Sequence, residues 1–243
     1  MELGGKVAVV TGGAVRLGKA LALALAERGV RSVIHYNASA GPAEGMVARI
    51  AAMGGEAMAI QADLSQPSQM SRVIAQAGDH FGQVDILVNS AAIFEPGDVY
   101  DTTEADWDRH FAINLKAPFF LSQAFAQHVG RQRPGHIVNI ADWRATRPST
   151  GYVAYTLTKA ALITMTDNLA LALAPNIQVN AIAPGAILPP PGKDQAYLDR
   201  LARSIPARRT GSPAAIAKAL MFLLESDFVT GELIFVTGGE HLT

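Results

Sequence analysis

Short apolar runs alternate with longer stretches of helical periodicity from one end of this 243-residue chain to the other. The runs are Lys6–Thr11, Ser32–Asn37, Glu56–Gln61, Val84–Asn89, His136–Ala141, Gln178–Ala183 and Leu233–Val236. Most are continuously apolar rather than alternating, the pattern of strands covered on both faces by helices. Between them the periodicity predicts helices near residues 18–28, 42–53, 67–80, 104–129, 152–174 and 213–225. Pro67 and Pro213 suit a first helical position, and Ser65 and Ser212 suit a cap. Repeated strand–helix alternation specifies an α/β fold. The expectation is a doubly wound parallel sheet of about seven strands, with right-handed crossovers and helices on both faces, in one domain over residues 1–243.

The stretch Pro184–Pro206 resists assignment, because Pro189-Pro190-Pro191-Gly192 rules out a continuous helix or a central strand there. A long irregular insertion in a compact domain is typically functional, so residues 184–206 are expected to form a substrate loop or lid, against a plain surface loop as the alternative.

Composition narrows the function classes. A hydrophobic share of 49% is enough for one substantial core, and a formal net charge of −1 provides no basic field for nucleic acid. The chain has no cysteine, which excludes disulfides, thiolate metal ligands and a cysteine nucleophile; no metal centre is expected. No charged and apolar leader precedes the first run, and the most apolar helical stretch, Ala20–Ala26, is shorter than the about 20 residues a bilayer span needs. The expectation is a soluble, cytoplasmic protein with a small-molecule partner, no nucleic acid and no membrane.

The first strand runs into Thr11-Gly12-Gly13-Ala14-Val15-Arg16-Leu17-Gly18 and then an Ala/Leu-rich helix. Glycines at a strand-to-helix turn bring backbone N–H groups and the positive end of a helix dipole close to a phosphate, the mark of a Rossmann-type dinucleotide site. The spacing is not the usual G-x-G-x-x-G; it resembles the T-G-x-x-x-[G/A/R]-x-G turn of the short-chain dehydrogenase/reductase family. At the end of the second strand, a carboxylate would accept the ribose 2′-hydroxyl of NAD and repel the phosphate of NADP. The residues there are His35-Tyr36-Asn37-Ala38-Ser39, with Arg16 one turn into the adjacent helix, so NADP(H) is the cofactor favoured. Ala62-Asp63-Leu64 and Asn89-Ser90-Ala91-Ala92 follow strands three and four, where the ligand crevice of an open parallel sheet forms. They resemble the family's adenine-side D-[L/V] contact and its N-N-A-G segment, from which this chain departs at Ser90 and Ala92. Asp63 could instead serve only as a helix cap.

Tyr155-Thr156-Leu157-Thr158-Lys159 places a phenol and an ammonium on one helix face. A nearby ammonium favours the phenolate, which would bring a group with an ordinary pKa near 10 into use as an acid at neutral pH. Tyr152 lies on a similar face but seven residues from the lysine, so spacing selects Tyr155. Asn114 resembles the family asparagine whose helix helps hold a water beside the catalytic lysine. Pro184-Gly185 resembles the P-G that borders the nicotinamide, and Val236-Thr237-Gly238-Gly239 the family V-D-G-G with threonine for aspartate. These matches run in order along nearly the whole chain, which on them is identified as a member of the family, with Tyr155, Lys159 and Asn114 as implied catalytic residues and a homotetramer, packed through the helices near 104–129 and 152–174, as the implied assembly.

The family usually places a serine thirteen residues before the tyrosine, and here that position is Asp142. An ionised carboxylate cannot donate to a carbonyl oxygen; it can accept from a ring or amino N–H, or deliver a proton if its pKa is raised. That suits a C=N bond in a nitrogen heterocycle better than a ketone. With Arg16, the His35-Tyr36-Asn37 segment and Phe94, it resembles the pteridine reductases and dihydromonapterin reductases. By that resemblance Phe94 would stack on a pterin, Arg16 would approach both phosphate and pterin, and Asp142 with Tyr155 would deliver the proton. Those enzymes often carry a basic residue where this chain has Ala38. Two alternatives stay open: a carbonyl reductase in which Asp142 plays no chemical part, and a non-catalytic NADP-binding regulator.

Overall fold

The computed structural model describes residues 1–148 and 150–243. Its seven strands are β1 (Val7–Val10), β2 (Arg31–Tyr36), β3 (Ala57–Gln61), β4 (Ile86–Asn89), β5 (Gly135–Ile140), β6 (Ile177–Pro184) and β7 (Leu233–Val236). All pair in parallel in the order β3-β2-β1-β4-β5-β6-β7, the single Rossmann-type sheet expected. The order reverses between β1 and β4, and ligand crevices form at that switch point.

The helices are α1 (Arg16–Ala26), α2 (Ala40–Ala52), α3 (Pro67–Phe81), α4 (Glu104–Phe111), α5 (Ala117–Val129), α6 (Val153–Leu173), α7 (Gln195–Ala202) and α8 (Pro213–Glu225). Strand residues alternate between two cores. Ala8, Val10, Ile34, Val88 and Val138 pack with Leu21 and Leu25 of α1, Ile50 of α2 and Leu220 of α8. Val7, Val9, Val33, Leu87 and Ile137 pack on the opposite face with Val73 and Ile74 of α3 and Leu121 and Phe125 of α5. Two-sided burial is why the strands read as unbroken apolar runs. Among the described residues no helix is long and apolar enough to cross a membrane.

Three local expectations are revised. The helix expected over 104–129 is interrupted by a π-helical turn at Ala112–Lys116, which holds Asn114. The segment 184–206 is not irregular throughout: Pro184 ends β6, and α7 follows the proline run, with the Asp194 side chain accepting from the backbone N–H of Tyr197. Eight residues gave too short a periodic window beside that run to be recognised from pattern. Ser212 caps α8, but Gln66 holds the cap position of α3 and makes no side-chain cap bond, so Ser65 is no cap.

Burial also sets the acid limit of the fold. His136 in β5 is 3% exposed, its Nδ1 has no partner among the described residues, and burial, helped by the N-terminal ammonium, pushes its pKa from 6.5 to about 4. His35 and His128 are lowered too, chiefly by burial. The unfolded chain takes these protons near 6.5 while the folded chain refuses them, so stability is full above 6.5 and falls as pH drops toward 4. His136 alone is expected to cost about 3 kcal/mol across that window. Thermal melting of wild type and His136→Phe at neutral and acid pH checks this; an equal loss in both proteins would remove His136 as a cause.

Candidate active site

The glycine turn after β1 is shaped by backbone contacts and backbone conformation that favour glycine. Gly12 has φ +64°, and a Cβ there would meet the Ala91 backbone at 3.1 Å. A Cβ on Gly18 would lie 2.2 Å from the Gly12 carbonyl oxygen, so α1 can start this close to β1 only with glycine at that position. Behind the turn, His35 accepts the Gly12 N–H at Nδ1 (3.2 Å), which leaves its proton on Nε2 to donate to the Ala62 carbonyl (3.0 Å). Burial keeps the imidazole pKa low and therefore neutral in this bridging role. His35 thus fixes the turn against the end of β3.

A crevice of about 330 Å³ opens over this turn. It is lined by Gly12, Arg16, Leu17 and Gly18 from the turn, and by His35, Tyr36, Asn37 and Ser39 after β2. Asp63 and Leu64 after β3, and Ser90 and Ala91 after β4, complete the wall. Twelve of the seventeen residues expected to hold a cofactor therefore meet in one place. Asn89 does not join them: it is buried under the crevice and donates to Asn139 Oδ1 at 2.8 Å. Asp63 does not cap α3; its Oδ1 accepts the Ser65 N–H in a local turn. Arg16 is the first residue of α1 rather than one turn inside it, at φ 51°, and its guanidinium donates to the Pro189 carbonyl at 2.7 Å. The proline segment is thereby tied across the mouth of the crevice. The residues that follow β2 carry no carboxylate, and Arg16 and Ser39 line the crevice there; residues of this type fit a 2′-phosphate.

Tyr155, Lys159, Pro184 and Gly185 lie beyond that crevice, at the ends of β5 and β6. Tyr155 and Lys159 are both buried on α6. Lys159 Nζ donates to the Ile140 carbonyl at 2.7 Å and sits 5.8 Å from the Tyr155 ring centroid. Burial lowers its pKa to about 8, against the opposing pull of Asp142. Tyr155 Oη donates to Asp142 Oδ2 at 2.9 Å, and Asp142 Oδ1 accepts the Arg144 backbone N–H at 2.8 Å. The phenol differs from expectation: burial first and the Asp142 charge second hold its pKa well above the usual tyrosine value, so the lysine does not bring it down. Asn114 Oδ1 accepts the Ile93 N–H, and its amide donates back to the Ile93 carbonyl, both at 2.9 Å, with Thr158 Oγ1 at 3.4 Å. Its side chain fixes the loop after β4 against α6.

That loop is tied again by Gly97, which bonds the backbone of Gly151 and Val153 at 3.0 Å each. Phe94 is thereby pressed face to face on Tyr152 (centroids 4.3 Å, interplanar angle 4°) and edge-on to Tyr155 (4.7 Å). One face of Phe94 is therefore taken by Tyr152, the tyrosine that spacing had set aside. On the far side, a Cβ on Gly185 would lie 2.7 Å from Glu240 Oε2, which accepts the Ala186 N–H at 2.9 Å. Thr237, at the family's aspartate position, bonds the Gly239 N–H at 3.3 Å through its hydroxyl. Tyr152, Arg144 and Glu240 belong to no motif visible in sequence; only the fold brings them here.

Comparisons with known proteins place the chain in a family. The family model described as Enoyl-(Acyl carrier protein) reductase matches residues 13–241. The subunit BbsD of (2S)-[(R)-hydroxy(phenyl)methyl]succinyl-CoA dehydrogenase from Thauera aromatica is 37% identical, over 100% of this chain and 99% of its own length. The 3-oxoacyl-[acyl-carrier-protein] reductase FabG of Staphylococcus epidermidis is 34% identical, over 98% of this chain and 99% of its own. Among solved structures, FolM alternative dihydrofolate reductase 1 from Brucella canis, complexed with NADP, superposes with a TM-score of 0.95 at 36% identity, over 100% of this chain and 96% of that one. With the sheet order, the glycine turn and the tyrosine–lysine pair in place, these matches show that the chain belongs to the short-chain dehydrogenase/reductase family of oxidoreductases.

Proposed function

We propose that this chain is an NADPH-dependent reductase of a planar nitrogen heterocycle of the dihydropterin or dihydrofolate type. The observation that carries the reading is the 2.9 Å bond from Tyr155 to Asp142, where a serine would serve a carbonyl substrate. The crevice residues would hold NADPH, with Arg16 and Ser39 toward the 2′-phosphate, and the bound cofactor supplies the hydride. Reduction of a C=N bond also needs a proton at nitrogen. The Tyr155 phenol keeps its proton, because burial and the neighbouring carboxylate disfavour the phenolate. Asp142 is placed to accept an N–H of the heterocycle, so charge appearing on a protonated ring nitrogen meets a fixed counter-charge. The same carboxylate would oppose an alkoxide, which disfavours ketones. Lys159, 5.8 Å from the ring centroid, offsets the charge left on Tyr155 after proton transfer. The FolM neighbours support the heterocycle, whereas the curated relatives carry carbonyl-type names, which keeps carbonyl reduction as the competing outcome. Phe119, Phe120 and Leu157, exposed on α5 and α6, support the homotetramer.

Assay of NADPH oxidation with a dihydropterin, dihydrofolate and a ketone panel is expected to show turnover on the heterocycles; activity confined to ketones would overturn the substrate class. Asp142→Ser is expected to lower kcat/KM for the heterocycle about 10- to 100-fold, by analogy with loss of an oriented charged donor or acceptor, without lowering carbonyl reduction. Tyr155→Phe should cost about 10²- to 10⁴-fold in turnover while NADPH affinity, measured by fluorescence titration, stays within about threefold. Because Lys159 gives up its proton near pH 8, turnover should fall as pH rises through that value. Lys159→Arg, which remains charged, should lack that alkaline limb even if slower, and an unmoved limb would detach it from Lys159.

A further inference from the structure

Among the described residues, three cations near this end of the sheet are held by backbone carbonyls. Lys159 donates to the Ile140 carbonyl, Arg16 to the Pro189 carbonyl, and Arg147 through both Nε and Nη2 to the His241 carbonyl. Arg144 differs. Its guanidinium makes no hydrogen bond among the described residues, and its one ion pair there is the long contact of Nη1 with Asp142 Oδ1 at 3.6 Å. Both Asp142 oxygens already accept shorter bonds, one from the Arg144 backbone N–H at 2.8 Å and the other from the Tyr155 hydroxyl at 2.9 Å. The second carboxyl nearby, Glu240, is turned to the Ala186 N–H. The guanidinium instead lies over two aromatic rings, 5.8 Å from the centroid of Phe94 and 5.1 Å from that of Trp143. Its side chain is 28% exposed, so a ligand in the cleft can reach it. Cation–π contact of this kind at a partly exposed site holds a guanidinium only weakly, so a carboxylate can draw it away.

We propose that Arg144 is a specificity-determining residue that reads an anionic group, a carboxylate, carried on the planar substrate reduced at Tyr155. The guanidinium presents a planar fork of donors that matches a carboxylate in a two-bond geometry. It sits beside Phe94, which packs edge-on to the reacting tyrosine, so a ring seated against Tyr155 brings its substituents to Arg144. With Tyr152 covering one face of Phe94, a ring that stacks on the other face displaces the guanidinium and frees it to meet the incoming charge. The preferred substrate is therefore the acid-bearing heterocycle rather than its neutral analogue. This rests on the reading of the cleft as a reductase site for a nitrogen heterocycle.

The test compares two substrate pairs with wild type, Arg144→Ala and Arg144→Lys. One pair is dihydrofolate, whose tail ends in a glutamate, and a dihydropterin with an uncharged side chain. The other is an aryl ketone with and without a ring carboxylate. Wild type is expected to prefer the acidic member. Arg144→Ala should reduce that preference, as the ratio of kcat/KM values, about tenfold or more, mainly through KM, and Arg144→Lys should restore part of it. A parallel loss of kcat on both members, with the ratio unchanged, would overturn the proposal and make Arg144 a support for Asp142. If wild type turns over a pair without preferring its acidic member, the proposal is overturned as well. If neither heterocycle is turned over but the ketone preference depends on Arg144, the heterocycle reading fails and the role of Arg144 stands.

Discussion

A parallel sheet covered by helices on both faces leaves its interior strand positions no contact with water. Polar side chains in such a sheet are confined to strand ends unless they can bond one another. Here the confinement is nearly complete. The interior exceptions, Asn89, Ser122, Asn139 and Thr166, form one buried hydrogen-bonded string across β4, β5 and their helices. Elsewhere in the sheet, His136 and Asn180 are buried within strands, while the residues of the cofactor crevice and Asp142 lie at the carboxyl ends. The switch between β1 and β4 then decides which of those ends gape.

Two regions with different tolerances result. At the cofactor end, the backbone is the active component, and closeness is the constraint: Gly12 and Gly18 admit no Cβ, and His35 works as a neutral spacer. At the chemical end, charge is the constraint. Asp142 faces a buried phenol, a buried ammonium stands behind the ring, and Arg144 and Glu240 lie at the margin. Each group shifts its neighbours: the Glu240 carboxyl is raised mainly by burial, while the Ala186 N–H and Arg144 lower it in part. An aspartate in this company is compatible with a cationic reaction centre and hostile to an anionic one.

Sequence made the sheet legible, since two-sided burial writes itself as continuous apolar runs, and all seven strands fell within a residue or two of those runs. The glycine turn and the Tyr155–Lys159 spacing were legible for the same reason: their function depends on short-range geometry that the chain repeats locally. What escaped depends on distance in sequence. Tyr152 gains its place from a loop some 55 residues earlier, by way of Phe94 and Gly97. Arg144 and Glu240 acquire their setting from segments nearly a hundred residues apart. The sign of the tyrosine shift escaped too, because spacing shows that a lysine is near but not how deeply both are buried or that a carboxylate is nearer. The π turn at Ala112–Lys116 has no pattern of its own; it is a helix interrupted where Asn114 reaches the Ile93 backbone.

The last turn, Glu240–Leu242, clasps both walls of the chemical end, through Glu240 to the Ala186 N–H and through the His241 carbonyl to Arg147. Two segments distant in sequence, one after β5 and one after β6, therefore share a single fastening. Loosening that one turn would act on both walls at once, so changes made at the two walls would be coupled through it rather than additive.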